Sequence, residues 1–159
     1  MHDSAKDTAA FIKANMDKPF FINARLHESH TPHVPTPESM EKWKHLDEQK
    51  RVYSAVITDG DNAVGTILDA LQAAGVADNT IVMFSSDNGP ESTAAKAGPR
   101  KRDSDANATG YDTHFSVGQP GGPRGRKRSL FEGGVRLNPF SAPLENSIEN
   151  RIALFTQSR

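Results

Sequence analysis

Cysteine is absent from these 159 residues. That excludes, within the chain, a disulfide framework, thiolate zinc sites and cysteine nucleophiles, and it leaves the redox compartment unread. Long apolar runs are missing too. None approaches the roughly 20 residues of a membrane span, and the first residues lack the apolar core of a signal peptide. The chain as given is expected to be soluble, with its localisation unknown. Nor is there an excess of one charge: 19 basic and 20 acidic residues give a net charge of -1, so neither a nucleic-acid nor a membrane partner is expected. Apolar residues make up only 35% of a chain long enough for one ordinary domain. Either part of it stays outside a packed core, or part of the core is missing.

What is present centres on Thr80-Ile81-Val82-Met83-Phe84-Ser85-Ser86-Asp87-Asn88-Gly89-Pro90. Five apolar or β-branched residues make a short buried strand, followed by two serines, an acid, an amide and a Gly-Pro breaker. In open α/β sheets ligands collect beyond the carboxyl ends of strands, which is where Asp87 and Asn88 fall. Both offer oxygen, the donor that calcium and magnesium prefer. Each residue is equally at home in a turn, so the stretch alone leaves site and turn both open.

Upstream, Thr8 to Met16 reads as a short amphipathic helix and Pro19 to Leu26 as a strand. Just past that strand, His27, His30 and His33 fall within seven residues that also contain Pro32. Prolines bias the residues before them toward extended backbone, which places His30 and His33 on an exposed, stiff segment. Imidazole there can ligate a metal, donate to an anion or move a proton, or it can simply be solvated. Residues 36–47 read as a charged loop entering a helix. From Asp47 to Ala74 the apolar residues recur at helical spacing, with Gly75 as the stop and Gly60 and Gly65 as candidate points of close packing or bending. The acids Asp59 and Asp61 read as surface or capping groups. Helix, short loop and strand in this order make an α/β unit.

From Glu91 to Gln119 the chain is polar and reads as a long loop that need not fold alone; its basic triplet at Arg100 to Arg102 is given no function. The Gly-rich, basic run from Gly121 to Arg136 follows. Glycines let backbone approach a ligand, and Lys127 with its arginine neighbours can neutralise an oxyanion. Sparse aromatic interleaving ranks a nucleic-acid patch below a small-anion site.

Over roughly residues 5–136 the chain resembles the sulfatases of the alkaline-phosphatase-like superfamily. The resemblance rests on Lys18-Pro19-Phe20-Phe21, His30-Thr31-Pro32-His33-Val34-Pro35, Tyr53 with Asp61 and Val64-Gly65, Asn79 through Pro90, and Gly125-Arg126-Lys127 with Phe131-Glu132-Gly133-Gly134-Val135-Arg136. Each motif alone is weak, but five in continuous order are specific. The resemblance implies that Asp87 and Asn88 are metal ligands, usually to calcium, and that Lys127 contacts the sulfate group. It implies that His30 sits beside the ester oxygen as a sulfate contact or proton donor, and that His33 shapes the same wall. The substrate class it implies is a small-molecule sulfate ester or sulfated glycan, an arylsulfate or sulfated sugar.

The same resemblance marks what is lacking. Family members attack sulfur with a formylglycine made from a Cys/Ser-x-Pro-x-Arg motif. Here only serine is available, and Ser141-Ala142-Pro143-Leu144-Glu145 ends in Glu and lies on the wrong side of the metal motif. The family's N-terminal aspartate pair, and the Lys/His pair that follows the nucleophile, have no counterpart before Lys18. The expectation is therefore a mixed α/β, partial alkaline-phosphatase-like sandwich with a mostly parallel central sheet flanked by helices. Residues 1–136 belong to a sulfatase catalytic domain, and 137–159 form an atypical tail outside the family pattern. The fragment is expected to be inactive by itself. A non-catalytic anion- or metal-binding remnant, or a related phosphoesterase or phosphonate hydrolase, are the alternatives.

Overall fold

The computed structural model describes residues 4–97, 101–102, 109–135, 140–142 and 151–157. Arg100, Arg136 and the Pro143 to Glu145 part of the serine motif lie outside them. Helix α1 (Ser4–Asn15) starts four residues earlier than its apolar pattern predicts and buries Ala5, Thr8 and Ile12, a helical i, i+3, i+7 stripe. Strand β1 (Phe20–Leu26) follows, then α2 (Pro37–Lys42), a short helix where the sequence reads mainly as loop. Its start is specified locally: Pro37 stands at the first turn, and the Thr36 hydroxyl accepts from the Ser39 N–H at 3.2 Å.

Helix α3 (Glu48–Ala73) is the longest element. Asp47 caps it by accepting from the Lys50 N–H at 3.0 Å, and Val52, Ala55, Val56, Ile67 and Leu71 form its buried face. It ends in a Schellman arrangement, with Gly75 N–H donating to Gln72 O and Val76 N–H to Leu71 O, while Gly75 takes φ +68°. Val76 and Leu71 then meet in the core. Gly65 has open space where a Cβ would project, so it marks neither close packing nor a bend; Gly60 is buried. Asp59 anchors the preceding loop, accepting from Thr36 N–H and Thr36 Oγ1, each at 2.8 Å, and from Ser39 Oγ.

A 3-10 turn (Ala77–Asn79) leads into β2 (Ile81–Ser86), which runs on through both serines. The polar stretch that follows is more structured than its composition suggests. It contains the two-residue pair β3 (Lys101–Arg102) and β4 (Thr109–Gly110), a 3-10 turn at Thr113–Phe115, and a two-way backbone bridge between His33 and Tyr111. A single turn, α4 (Glu132–Val135), precedes β5 (Phe140–Ala142) and β6 (Arg151–Gln157).

The main sheet has the order β1-β6-β2-β5. Strand β6 is parallel to both β1 and β2, and β5 is antiparallel on the outer side of β2. Residues 151–157, which the sequence reading left without an element, thus hold β1 and β2 in one sheet. Ile22, Ala24, Leu26 and Phe20 turn toward α1 and α3, whereas Phe21 on the opposite face is 63% exposed. Among the described residues the helices cover one face of β1, so the core is one-sided, as in a partial sandwich with one helical layer.

Two glycines, one inside α3 and one just past its end, should respond oppositely to alanine. Gly75→Ala, forced into a left-handed conformation, is expected to lower stability by about 1 kcal/mol. Gly65→Ala, with ordinary helical backbone and free space, should raise it by up to about 1 kcal/mol. Urea denaturation midpoints of the two variants check both signs.

Candidate functional site

Parallel register decides which loops share an edge. Leu26 at the end of β1 and Ser86 at the end of β2 both align with Gln157 of the strand between them. The histidine segment and the Asp87-Asn88 turn therefore leave the sheet at one level, two interstrand spacings apart, or about 10 Å.

His30 donates from Nδ1 to the Thr31 carbonyl at 2.6 Å, because a carbonyl can only accept. That leaves Nε2 as the working nitrogen, an acceptor in the neutral ring and a donor in the cation. The His27 ring lies 5.2 Å away, centroid to centroid. His33 differs from the expectation of an exposed segment: it is fully buried, with Nε2 2.9 Å from Ser116 Oγ and the ring edge-on to Tyr53. The residues that cover it, Tyr111 to Ser116, come from the polar stretch that composition left as a loop. Asp112 shapes that cover by accepting from the His114 N–H at 2.9 Å. Burial, and next the neighbouring His30, lower the His33 pKa to about 4 against the opposing pull of Asp112 and Glu91. His33 thus supports the wall from behind and presents no surface to a ligand.

Asp87 is exposed, and Asn88 is half-buried with its Oδ1 buried and without a hydrogen-bond partner. An orphaned buried amide oxygen is costly unless something occupies it, which suits a hard cation. Such ions take six to eight oxygens, however, and among the described residues no group of three or more His, Asp or Glu is placed to hold a metal. Asp87 and Asn88 fit as part of a shell.

The basic loop docks directly on this turn. Gly89 N–H donates to Gly134 O at 3.0 Å, and a Cβ on Gly89 would overlap the Gly133 carbonyl. Lys127 N–H donates to Pro90 O at 2.9 Å, so Lys127 is tied two residues from Asn88 by backbone. Its charged neighbours are engaged elsewhere. The Arg124 guanidinium lies 3.9 Å over the Phe131 ring, Arg126 is bonded to Glu91 O and Gly118 O, and Arg128 pairs with Glu91 Oε2 at 3.1 Å. Among the described residues the Lys127 ammonium alone of these four cations has no ion pair, hydrogen bond or ring contact. The structure therefore brings Asp87, Asn88 and Lys127 together through backbone contacts, with His30 arriving from β1 at the same sheet edge.

A cavity of about 360 Å³ opens beside His27, but it is a poor anion seat. Glu28, Glu38 and Asp59 line it against Lys6. Sequence reasoning missed Glu91 and Ser116, and it read Arg126 as an oxyanion neutraliser where the structure bonds it to protein oxygens. The Gly-Arg-Lys run drew attention to Lys127, whereas nothing local marks Glu91 as buried.

With this geometry in place, comparison with known proteins defines the class. The model of the sulfatase family matches residues 1–136, and the chain belongs to that family. It is 29% identical to steryl-sulfatase of Rattus norvegicus over 84% of this chain and 20% of that protein. It is also 29% identical to N-acetylgalactosamine-6-O-sulfatase of Bacteroides thetaiotaomicron over 93% of this chain and 26% of that one. The crystal structure of Ps i-CgsB in complex with k-i-k-neocarrahexaose has a similar fold, with a TM-score of 0.70 at 20% identity over 94% of this chain and 29% of that one. The chain thus spans about a quarter of the proteins it resembles.

The buried imidazole makes stability depend on pH. The His33 pKa in the folded protein, about 4, lies below its unfolded value of 6.5, so the unfolded chain binds the proton more readily. As pH falls from 6.5 to about 4, stability should drop by up to about 3 kcal/mol on this account, with no contribution above 6.5. Denaturation curves across that range should show a shallower loss for His33→Gln than for the unaltered chain.

Proposed function

We propose that this chain forms the sulfate-binding wall of a sulfuric ester hydrolase acting on an arylsulfate or a sulfated sugar. The observation that carries the reading is Lys127, whose ammonium has no partner among the described residues and whose backbone is tied to the turn bearing Asp87 and the orphaned Asn88 oxygen. Relatives named for steryl and N-acetylgalactosamine sulfate chemistry, and a similar fold solved with k-i-k-neocarrahexaose bound, support that substrate class.

The roles follow from chemistry. Lys127 supplies a compact positive charge with three donors to the sulfate oxygens, an interaction that strengthens as the ester bond breaks and negative charge grows. His30, with Nδ1 committed to Thr31, holds or delivers a proton at Nε2 toward the leaving oxygen. Asp87 and Asn88 contribute carboxylate and amide oxygens to calcium, which when bound adds charge against the same sulfate. His33 keeps the His30 segment in place through Ser116. Within these residues no cysteine exists and no serine lies in a Ser-x-Pro-x-Arg setting, so the chain holds no nucleophile of the family type.

Two linked measurements test this. The 159-residue chain should show no arylsulfate turnover above background, since loss of the nucleophile typically removes several powers of ten; measurable turnover would overturn the assignment. Calcium at ten times its Kd should stabilise the chain by about 1.4 kcal/mol in thermal melts, an effect that Asp87→Ala abolishes. An identical calcium response in the variant would remove Asp87 from the site.

A further inference from the structure

A lysine is a poor instrument for placing charge, because its ammonium rides on a flexible four-carbon stem. Whatever precision Lys127 has must come from the backbone around it, and that backbone is held on both sides. On one side the Arg126 guanidinium reaches Glu91 O at 3.2 Å, Gln119 Oε1 and Thr93 Oγ1 at 3.4 Å each, and Gly118 O. Its planar fork thereby joins the segment after the Asp87-Asn88 turn to the segment after Ser116. On the other side Arg128 adopts φ +77°, a left-handed conformation unusual for a bulky side chain, and pairs with Glu91 Oε2. Glu91 is 6% exposed, and its remaining oxygen accepts from the Ser92 N–H at 2.9 Å. Both arginines flanking Lys127 thus close on one buried residue, immediately after the Pro90 carbonyl that takes the Lys127 N–H.

We infer that Arg126 is a positioning residue, which, braced with Arg128 on the buried Glu91, aims Lys127 at the anion and takes no part in binding it. The inference rests on Lys127 being the sulfate contact, and it separates the cations of the run by role. Arg126 directs its donors into protein carbonyls and side-chain oxygens, so its charge serves to hold loops. Lys127 is left to meet the ligand. Arg126→Lys keeps the positive charge but cannot span the same acceptors, which distinguishes geometry from electrostatics.

The experiment uses the full chain with its lysine amines reductively ¹³C-methylated, so that the Lys127 signal, assigned by its loss in Lys127→Arg, reports local order, while inorganic sulfate is titrated in parallel. In Arg126→Lys the Lys127 resonance is expected to collapse toward that of solvent-exposed lysines, and sulfate affinity to fall about tenfold, with the cooperative thermal melt retained. Thr93→Val, which removes one acceptor and leaves the others, should move the resonance in the same direction by a smaller step, and it serves if Arg126→Lys does not fold. An unchanged Lys127 resonance in both variants would overturn the inference. If the unaltered chain binds no sulfate yet the resonance still shifts, positioning stands and the sulfate-wall reading falls.

Discussion

The site depends on a backbone contact that side chains would forbid. Gly89 and the Gly133-Gly134 pair approach until the Gly89 N–H reaches the Gly134 carbonyl, and a Cβ on Gly89 would overlap the Gly133 carbonyl and hold the two loops apart. This contact turns two segments distant in sequence into one rigid corner. Once they are joined, the Lys127 backbone is held two residues from Asn88 through the Pro90 carbonyl. Glycine here serves close approach, while flexibility is removed by the arginine contacts around it.

A second chain of contacts carries that rigidity back to β1. Arg126 meets Thr93 Oγ1, the Thr93 hydroxyl donates to the Ser116 carbonyl, and Ser116 Oγ bonds the buried His33 ring. His33 in turn shares a two-way backbone bridge with Tyr111. The histidine segment and the basic loop, which leave different parts of the fold, are therefore coupled through the polar stretch between them.

Much of this was legible in the sequence because it is local. The α3 boundaries follow from Asp47 and Gly75, and the placement of Asp87 and Asn88 beyond a strand follows from the apolar run before them. What was not legible is long-range. His33 reads as exposed because nothing nearby announces that Tyr111 to Ser116 will cover it. Gly65 reads as a packing point although it faces open space. Ile152 to Phe155 reads as part of a polar tail, since a short apolar run acquires meaning as a strand only when its two neighbours are known. The same holds for Glu91, a buried acid whose partners Arg126 and Arg128 lie more than thirty residues on.

The position of β6 also sets an order of events on the ribosome. Strands β1 and β2 emerge early, but the strand that joins them is translated after every other described element. Until then each exposes an unpaired polar edge, a state open to wrong partners. Parallel pairing between Phe20 and Arg151 also closes a very long loop, which slows folding. Between the emergence of β1 and that of β6, the β1 edge therefore depends on protection from wrong pairing.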